Sequence, residues 1–434
     1  MVDVYRTGNY YAGGIAKEAT PGTYVAPQRY LPYSKLDFEP GITDEPLKVH
    51  VGRRGSEYKM MRTKAEPKGS LQMPAWPENG LEHAFLGALG KVTTTPQGTA
   101  YLHAFEENTS LSTTPALPTF SITKWVKWGA GVEETQAYTG CIVNSLKLDY
   151  ASGSPVNMSV EYVSNSVDFS QSAPSTYNYS SADPFTFNDF ICKIGASTFT
   201  FASATDLDIT ANTITKIDHG MATGDSVTLS TSGTLPTATP ALSAGTTYYV
   251  IYVDANKFKL ADSKANALAG TAIDITAAGS GVHTVTNTVS QNTTVTKANI
   301  EIKNNIKALR TANKKMEPNI KIPGQLEITG RIEFPFANLD EYKKYLGGNT
   351  AANTVDDIIL NRSINLQLTG ANIASTYNYD LTIDLPRVNL INLKPDGSAD
   401  DTIMYGFDFR ALYDSTAQKM ISANITSKLT GSQY

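Results

Sequence analysis

The clearest pattern in the chain is an alternation of apolar and polar positions over residues 325–336. From Leu326 to Phe336, Leu, Ile, Gly and Phe occupy every second position, and mostly charged or polar residues stand between them. A period of two predicts a strand with one buried side and one solvent-facing side. The segment from Asn338 to Gly348 follows, and its Asn cap and terminal glycines predict a short helix. Neither element contains an obvious catalytic residue, which favours a protein that works through its shape.

The same alternation recurs along most of the chain. Leu146–Tyr150 and Val156–Tyr162, separated by a Ser-Gly-Ser-Pro turn, predict a β-hairpin. Further strands are predicted within residues 300–303, 364–368, 379–385, 403–411 and 421–425. A second short helix is predicted from Asn79 to Gly90, with Asn79 and Glu82 as a capping box. The fold class is therefore mainly β: an antiparallel β-sandwich or barrel-type domain with two short helices.

The composition changes between residues 194 and 290. This segment contains seven Asp and four Lys but no Glu or Arg, and it is rich in Thr, Ser and Ala. Its short β-like runs predict a small all-β domain inserted into an exposed loop of a host domain. Residues 1–40 have no steady period and predict an extended N-terminal arm. The host domain then comprises residues 41–193 and 291–434.

Composition narrows the class of protein. The chain has 434 residues, 41% of them apolar, which suffices for two or three cores. Its formal net charge of -5 argues against binding nucleic acid by charge neutralisation. Two cysteines, Cys141 and Cys192, are too few for a disulfide framework, so we expect reduced thiols. We find neither a signal-peptide pattern nor an apolar run of membrane-spanning length, and we expect a cytoplasmic protein without membrane insertion.

Candidate catalytic and metal sites are weak. None of the five histidines has metal-ligand spacing to another His or Cys. The adjacent acids Asp356-Asp357 and Asp400-Asp401 would point apart on a strand, whereas glycoside hydrolysis needs two facing carboxyls. We therefore expect no enzymatic activity, no catalytic residues, no cofactor and no metal.

Two further features suggest contacts between copies. A basic run could grip phosphate, form a solvated loop, or pair with an acidic surface of another copy; its residues are Lys303, Lys307, Arg310, Lys314, Lys315 and Lys321. We favour the pairing with another copy, because the chain is acidic overall. Tyrosine is frequent near the start, and tyrosine suits surfaces that become buried against a partner. Candidate residues of a stacking arm are Tyr5, Tyr10, Tyr11 and Tyr24.

Several of these segments resemble one known family. The strand Ile300–Asn305, the segment Gly324–Phe336 and the Asn338–Gly348 helix resemble the tail tube proteins of long-tailed bacteriophages. Residues 364–368, 379–388 and 407–414 look like a continuation of that pattern, and the resemblance is weaker over the N-terminal half. The inserted segment, at His219–Asp225 and Tyr248–Leu260, is similar to a small β module that recurs in phage virion proteins.

The resemblance implies a structural virion protein. Members form homohexameric rings in which the sheets of all subunits build a continuous inner barrel. The rings stack into a tube that surrounds a tape-measure protein, meets tail terminator and distal tail proteins, and later passes double-stranded DNA during ejection. The inserted domain would project outward. An acidic wall would let DNA slide. Candidate channel-facing acids are Glu327, Glu333, Asp380 and Asp384.

Two other classes of function stay open at this point. A β-rich adhesin or fibre module would bind host-surface glycans through an aromatic platform in the insertion, with Tyr248, Tyr249, Tyr252 and Phe258 as candidates. A polysaccharide-cleaving enzyme would use acids such as Asp356 or Asp400. Self-assembly into rings or tubes distinguishes the tail tube from both.

Overall fold

A computed structural model provides the structure of the chain. It describes residues 11–50, 57–108, 117–129, 132–174, 176–177, 179–194, 198–216, 219, 221, 223–254, 256–287, 291–292, 295–312, 316–318, 320–335, 340–347, 361–374, 377–396, 403–415 and 417–431.

The chain is mainly antiparallel β, as predicted. Its strands are β1 (Tyr11–Lys17), β2 (Arg29–Tyr30), β3 (Lys35–Glu39), β4 (Ile42–Lys48), β5 (Glu57–Ala65), β6 (Lys68–Pro74), β7 (Gly90–Gln97), β8 (Ala100–Glu107), β9 (Phe120–Gly129), β10 (Val132–Ala151), β11 (Asn157–Val163), β12 (Ser166–Asp168), β13 (Phe190–Ile194), β14 (Thr198–Ala202), β15 (Leu207–Asp208), β16 (Thr213–Thr215), β17 (Ser226–Thr231), β18 (Thr237–Thr239), β19 (Thr247–Asp254), β20 (Lys257–Ala261), β21 (Asp274–Ala277), β22 (Val282–Asn287), β23 (Gln291–Asn292), β24 (Lys297–Lys303), β25 (Lys307–Leu309), β26 (Ile320–Ile322), β27 (Glu327–Pro335), β28 (Asn361–Ala374), β29 (Tyr377–Asp396), β30 (Met404–Ala411) and β31 (Ser422–Ser427).

The helices are α1 (Leu81–Leu89), α2 (Lys264–Leu268) and α3 (Asp340–Gly347). The two helices predicted in the host are confirmed as α1 and α3, but the predicted cap of α1 is wrong. Gly80, in the left-handed region with φ 105°, precedes α1, and no side chain caps it. Asn79 instead accepts a hydrogen bond from the Ser180 N–H through Oδ1. All nine residues of α1 are buried, so α1 is an internal element of the host rather than a cover on its surface.

Antiparallel pairing connects the host strands into one branched path, in which each strand is hydrogen-bonded to the next. Its main line runs β3-β6-β11-β10-β24-β27-β30-β29-β31-β8-β7. Two strands of 20 residues link the layers of this barrel-type body. The first half of β10 pairs with β9 and β12, and its second half pairs with β11 and β24. The first half of β29 pairs with β31 and its second half pairs with β30. β28 pairs with residues 377–389 of β29.

The inner side of this path forms one large core. The alternation seen in the sequence places one side of each strand against it, as with Ile328 and Ile332 of β27, both 0% exposed. The hairpin predicted at residues 146–162 is confirmed as β10–β11, with Leu146 opposite Val160. Because neighbouring strands bury the same side, α1 and the facing layer are enclosed between apolar surfaces.

Residues 198–287 form a separate seven-stranded sheet with its own core. The strand order is β14-β22-β17-β19-β20-β16-β15. Phe201, Val250 and Phe258 are among its buried residues. On the host side, β13 and β23 pair with each other, with Cys192 opposite Asn292, so the two host ends of the segment lie side by side.

The N-terminal segment differs from the expected arm. Tyr11–Lys17 pairs with β9 over its whole length, and Ile15 is 1% exposed. Lys35–Glu39 pairs with β6 and alternates exposed and buried residues. The interpretation of residues 11–40 as an unpacked arm is therefore wrong. Gly13 and Gly14 hid the period of two, because they supply no apolar side chain where the backbone lies buried in the sheet.

Candidate assembly surfaces and channel face

A two-stranded ribbon, β4–β5, carries five exposed large apolar side chains. The ribbon pairs only with itself among the described strands, and almost every residue on it is exposed. Its exposed large apolar side chains, with their exposed fractions, are Ile42 (45%), Leu47 (39%), Tyr58 (65%), Met60 (60%) and Met61 (47%). An isolated two-stranded ribbon is marginally stable in water. Apolar side chains on both of its strands indicate a surface that another molecule covers.

A smaller hairpin, β25–β26, lies beside the base of the ribbon. The Ala65 N–H donates to the Met316 carbonyl over 3.2 Å. Leu309 stands opposite Ile320 in the hairpin, and both are exposed, as is Ile322. Lys321, between the two isoleucines, points into the protein, where its ammonium group donates to the carbonyls of Gly140 and Val163. The hairpin thus presents apolar residues outward and buries its lysine.

The described residues of the predicted basic run do not form one cationic surface. Lys303 pairs with Glu301 over 3.0 Å, and Arg310 pairs with Glu66 at the base of the ribbon. Lys307 lies on β25 with its residue exposed. Lys314 and Lys315 lie outside the described residues. Lys303 and Arg310, two of the cations predicted to bind another subunit, are therefore already paired with acids of the same chain.

The predicted stacking tyrosines are spread over different environments. Tyr11 lies on β1 opposite Val126, and Tyr24 lies in the loop after it, partly exposed. Tyr5 and Tyr10 lie outside the described residues. A stacking role for these four residues stays a prediction.

The solvent side of the host sheet carries side chains of both charges. Register places Lys147, Glu301, Thr329 and Arg410 in one row across β10, β24, β27 and β30. Most acids of this surface pair with a basic neighbour. The pairs are Glu39–Lys68 (3.1 Å), Asp149–Lys147 (2.8 Å), Glu327–Arg410 (3.2 Å), Glu333–Arg331 (2.7 Å) and Asp408–Arg331 (3.0 Å). This surface is charge-balanced, whereas the sequence suggested an acidic wall.

The four predicted channel acids do not lie on adjacent strands. Glu327 and Glu333 are on β27, beside β24 and β30. Asp380 and Asp384 are on the first half of β29, which pairs with β28 and β31. Asp384 accepts a hydrogen bond from Asn365, and burial raises the pKa of the Asp380 carboxyl. Only Glu327 and Glu333 therefore belong to the charge-balanced surface.

In the described part of the chain, the two strands that end the main path of pairs each have an open edge. β3 pairs with β6 alone, and β7 pairs with β8 alone. They stand at opposite ends of the main path of pairs. An unpaired strand edge offers main-chain donors and acceptors to a strand of another chain. Both ends of the main path therefore carry backbone groups that a strand of another chain could bind.

The candidate reactive groups are mostly buried. Burial lowers the pKa of His83 to about 3 and that of His103 to about 4, so both rings are neutral at ordinary pH. Cys141 and Cys192 are free thiols, and burial raises the pKa of each to about 12. Among the described residues, no group of three His, Cys, Asp or Glu side chains could hold a metal ion. Asp356 and Asp400 lie outside the described residues.

The aromatic residues proposed as a glycan platform are divided between the core and the surface. Tyr248 is 4% exposed and Phe258 is 0% exposed, and both belong to the core of the inserted sheet. Tyr249 and Tyr252 are half-buried on β19. Tyr248 and Phe258 therefore cannot stack on a ligand from solvent.

Comparison with known proteins identifies a family. Residues 12–216 match the model of a family described as phage tail tube protein. This match covers the N-terminal half, where the sequence resemblance was weaker, and it extends into the inserted sheet. A search of curated proteins found no match to the chain. No helix among the described residues has the length and apolar character to cross a membrane. Proteins of the matching family are structural components of the virion tail, and the match identifies residues 12–216 of the chain as a phage tail tube protein.

Proposed function

We propose that copies of this chain form homohexameric rings that stack into the tube of a long-tailed phage. The exposed apolar ribbon β4–β5 is the observation that carries this proposal. Covering a ribbon that projects from one face requires a neighbour with a different, complementary face, and such heterologous contacts generate rings and open filaments. The exposed side of β25–β26 lies beside the ribbon and extends the same apolar surface.

Open edges at β3 and β7 support closure within a ring. Each copy has an open strand edge at each end of its main path of strands, β3 at one end and β7 at the other. One neighbour on each side would supply hydrogen-bonding partners for both edges. Pairing of β3 with β7 of the next copy would continue the sheet around the ring. The six-fold number itself comes from the family resemblance.

The charge-balanced surface suits the lumen of such a tube. A wall of net positive charge would bind DNA by releasing counterions and would slow its passage. Here Arg331 and Arg410 are paired with acids of the chain, which leaves little unpaired positive charge to hold phosphate. The tape-measure protein during assembly and double-stranded DNA during ejection would occupy this lumen. Tail terminator and distal tail proteins would close the two ends, and assembly would take place in the host cytoplasm without an enzymatic step.

Residues 194–290 would be an insertion on the outside of the tube. The seven-stranded sheet has a core separate from the host core, and its host ends lie side by side at β13 and β23. An outward position leaves the lumen clear. The adhesin alternative now rests on Tyr249 and Tyr252 alone among its four aromatic candidates.

Electron microscopy of the purified protein tests the assembly. We expect rings or tubes, and sedimentation should show a threshold concentration. The variant Tyr58→Ser/Met60→Ser/Met61→Ser should raise that threshold by about tenfold or more, because each buried apolar side chain contributes about 1.5–3 kcal/mol. Circular dichroism should stay unchanged, because all three residues are exposed in the subunit.

The matched control is Val253→Ser/Val282→Ser, which removes apolar side chains of similar exposure (43% and 45%) from the inserted sheet. It should assemble like the wild type. A wild-type protein that stays monomeric at every concentration would refute the tube. Normal assembly of the ribbon variant would instead show that other surfaces hold the copies together.

A further inference from the structure

Three side chains from distant parts of the chain meet around Gly140. This glycine lies where the pairing of β10 with β9 shifts register, and its φ of +62° is in the left-handed region. The three side chains are Lys321 from β26, Asn165 from the turn before β12, and Glu18 from the end of β1. They comprise an amine, a carboxamide and a carboxylate.

The lysine is held with its amine inside the protein. Its Nζ donates to the Gly140 carbonyl and, over 3.3 Å, to the Val163 carbonyl. Burial lowers the pKa of Lys321 to about 8. A desolvated lysine with such a pKa has an appreciable neutral fraction near pH 7, and the neutral amine is a nucleophile.

The asparagine side chain is pressed against Gly140. A Cβ at that position would lie 2.6 Å from Cγ of Asn165, so only glycine allows this approach. Asn165 Oδ1 is buried and accepts no hydrogen bond from the described residues. The Asn165 N–H donates to the Thr139 carbonyl over 2.9 Å, which fixes the backbone beside the glycine. The carboxamide carbon is thereby held next to the residue whose carbonyl receives the lysine.

The carboxylate lies at the same glycine. Glu18 is 6% exposed and accepts hydrogen bonds from the N–H groups of Gly140 and Gly22, each over 2.7 Å, and from Ser121 Oγ over 2.9 Å. A Cβ at Gly22 would lie 3.0 Å from Asn165 Nδ2, so the carboxylate and the carboxamide flank the same two glycines. A buried carboxylate in this position can carry a proton between the other two groups.

We propose that Lys321 and Asn165 join in an intramolecular isopeptide bond, with Glu18 as the proton carrier. The neutral Lys321 Nζ attacks Cγ of Asn165 and forms the new C–N bond. Glu18 takes a proton from the attacking nitrogen and delivers it to Nδ2. The bond between Cγ and Nδ2 then breaks, and one molecule of ammonia leaves. No oxidation occurs and no co-reactant is needed.

The bond would tie the β25–β26 hairpin to the wall of the host. Residues 165 and 321 lie on either side of the inserted segment, so the covalent link would close a long loop that includes it. A link of this kind restricts the unfolded chain, as a disulfide does. The apolar residues Ile320 and Ile322 flank Lys321, so the link would also hold their outward-facing side chains in place.

Intact mass spectrometry of the denatured full-length protein tests the proposal. We expect a mass lower than that of the sequence by one ammonia, and a branched tryptic peptide that joins the segments around residues 165 and 321. Lys321→Arg keeps a cation but cannot form the bond, so the full mass should return. Asn165→Asp should lose water instead and give the same bond. Glu18→Gln should keep the full mass or react slowly.

Lys303→Arg, on the solvent side of β24, is the matched control and should retain the ammonia loss. The full sequence mass in the folded wild type, even after long incubation at about pH 8, would overturn the proposal. An ammonia loss that persists in Lys321→Arg would also overturn it, because a cyclic imide at Asn165 would then be the product. If a variant fails to fold, the wild-type mass and its branched peptide decide the question alone.

Discussion

The host body and the inserted sheet are both antiparallel β, but they differ in the apolar surface and strand edges that they leave exposed. The inserted sheet has a core of its own, in which Phe201 and Phe258 are 2% and 0% exposed. The host buries a larger core, yet among the described residues nothing pairs with the outer edges of the ribbon β4–β5, the hairpin β25–β26, or the strands β3 and β7. The difference lies in the host, whose ribbon, hairpin and strand edges are the surfaces that neighbouring copies would cover in the proposed tube.

The contrast also holds for charge. The inserted segment has few charged residues and no Glu or Arg, while the host places ion pairs along its solvent side. One buried ion pair crosses between the two regions. Arg362 of β28 lies 2.8 Å from Asp225 of the inserted segment, with their side chains 5% and 8% exposed. Two separate cores are thus connected through a buried polar contact.

Breaking that ion pair should have the largest effect. Arg362→Gln leaves the Asp225 carboxylate buried without its cation, which typically costs about 3–5 kcal/mol. Hydrogen exchange should rise at β28 and around residues 223–226, while the centres of both cores stay protected.

A smaller loss is expected in the double variant Arg362→Gln/Asp225→Asn, because no charge is then left buried. Lys303→Gln breaks an exposed pair and should cost less than about 1 kcal/mol. Equal losses in Arg362→Gln and Lys303→Gln would show that the two regions are not held by the buried pair.

The next largest effect is expected in the pH dependence of stability, which should differ between the host and the inserted sheet. Glu82 of α1 is 0% exposed, and burial raises the pKa of its carboxyl to about 8. A raised folded-state pKa gives stability that is complete below the ordinary carboxyl pKa and is lost as pH rises through about 8. Between about pH 5 and pH 8 the host should lose about 3 kcal/mol, and Glu82→Gln should remove most of this loss.

Denaturant titrations across that pH range measure the effect. Hydrogen exchange at β19 and β20 of the inserted sheet provides the internal comparison and should change little. A host stability that is independent of pH would contradict a buried, protonated Glu82.

Removing the insertion should have the smallest effect on the host. Replacement of residues 195–290 by a short Gly-Ser loop keeps the β13–β23 pair, in which Cys192 stands opposite Asn292. We expect the truncated chain to fold and to assemble like the full chain, because the two cores share no residue and Arg362 becomes solvated. Loss of folding, measured by circular dichroism, would refute the interpretation of residues 194–290 as an insertion.

Much of the fold was predictable because strands repeat their burial pattern locally. The strand at residues 325–336, the hairpin at 146–162 and the helices now seen as α1 and α3 all follow from spacing that the chain itself displays. The cap of α1 was not predictable in this way. Asn79 and Glu82 have the spacing of a capping box, but tertiary contacts draw Asn79 to Ser180 and bury Glu82.

The candidate site was less predictable. The acids of β27 were identified as solvent-facing, but their partners on β30 are far away in sequence, so the balance of charge was not visible. The ribbon β4–β5 was not predictable, since alternation in β5 extends only over Glu57–Met60 and Met61 breaks it, while β4 shows none. That its apolar residues are exposed is visible only in the structure.

By itself the sequence determined the β class, the positions of the long strands, the two host helices and the compositional boundary of the insertion. These properties depend on neighbours along the chain, whose side chains take fixed directions in a strand or a helix. Only the tertiary structure decided which strands pair, which edges stay open, and which distant groups meet at Gly140. Pairing is decided by the burial and backbone hydrogen bonding of segments that can lie hundreds of residues apart, and no local pattern encodes it.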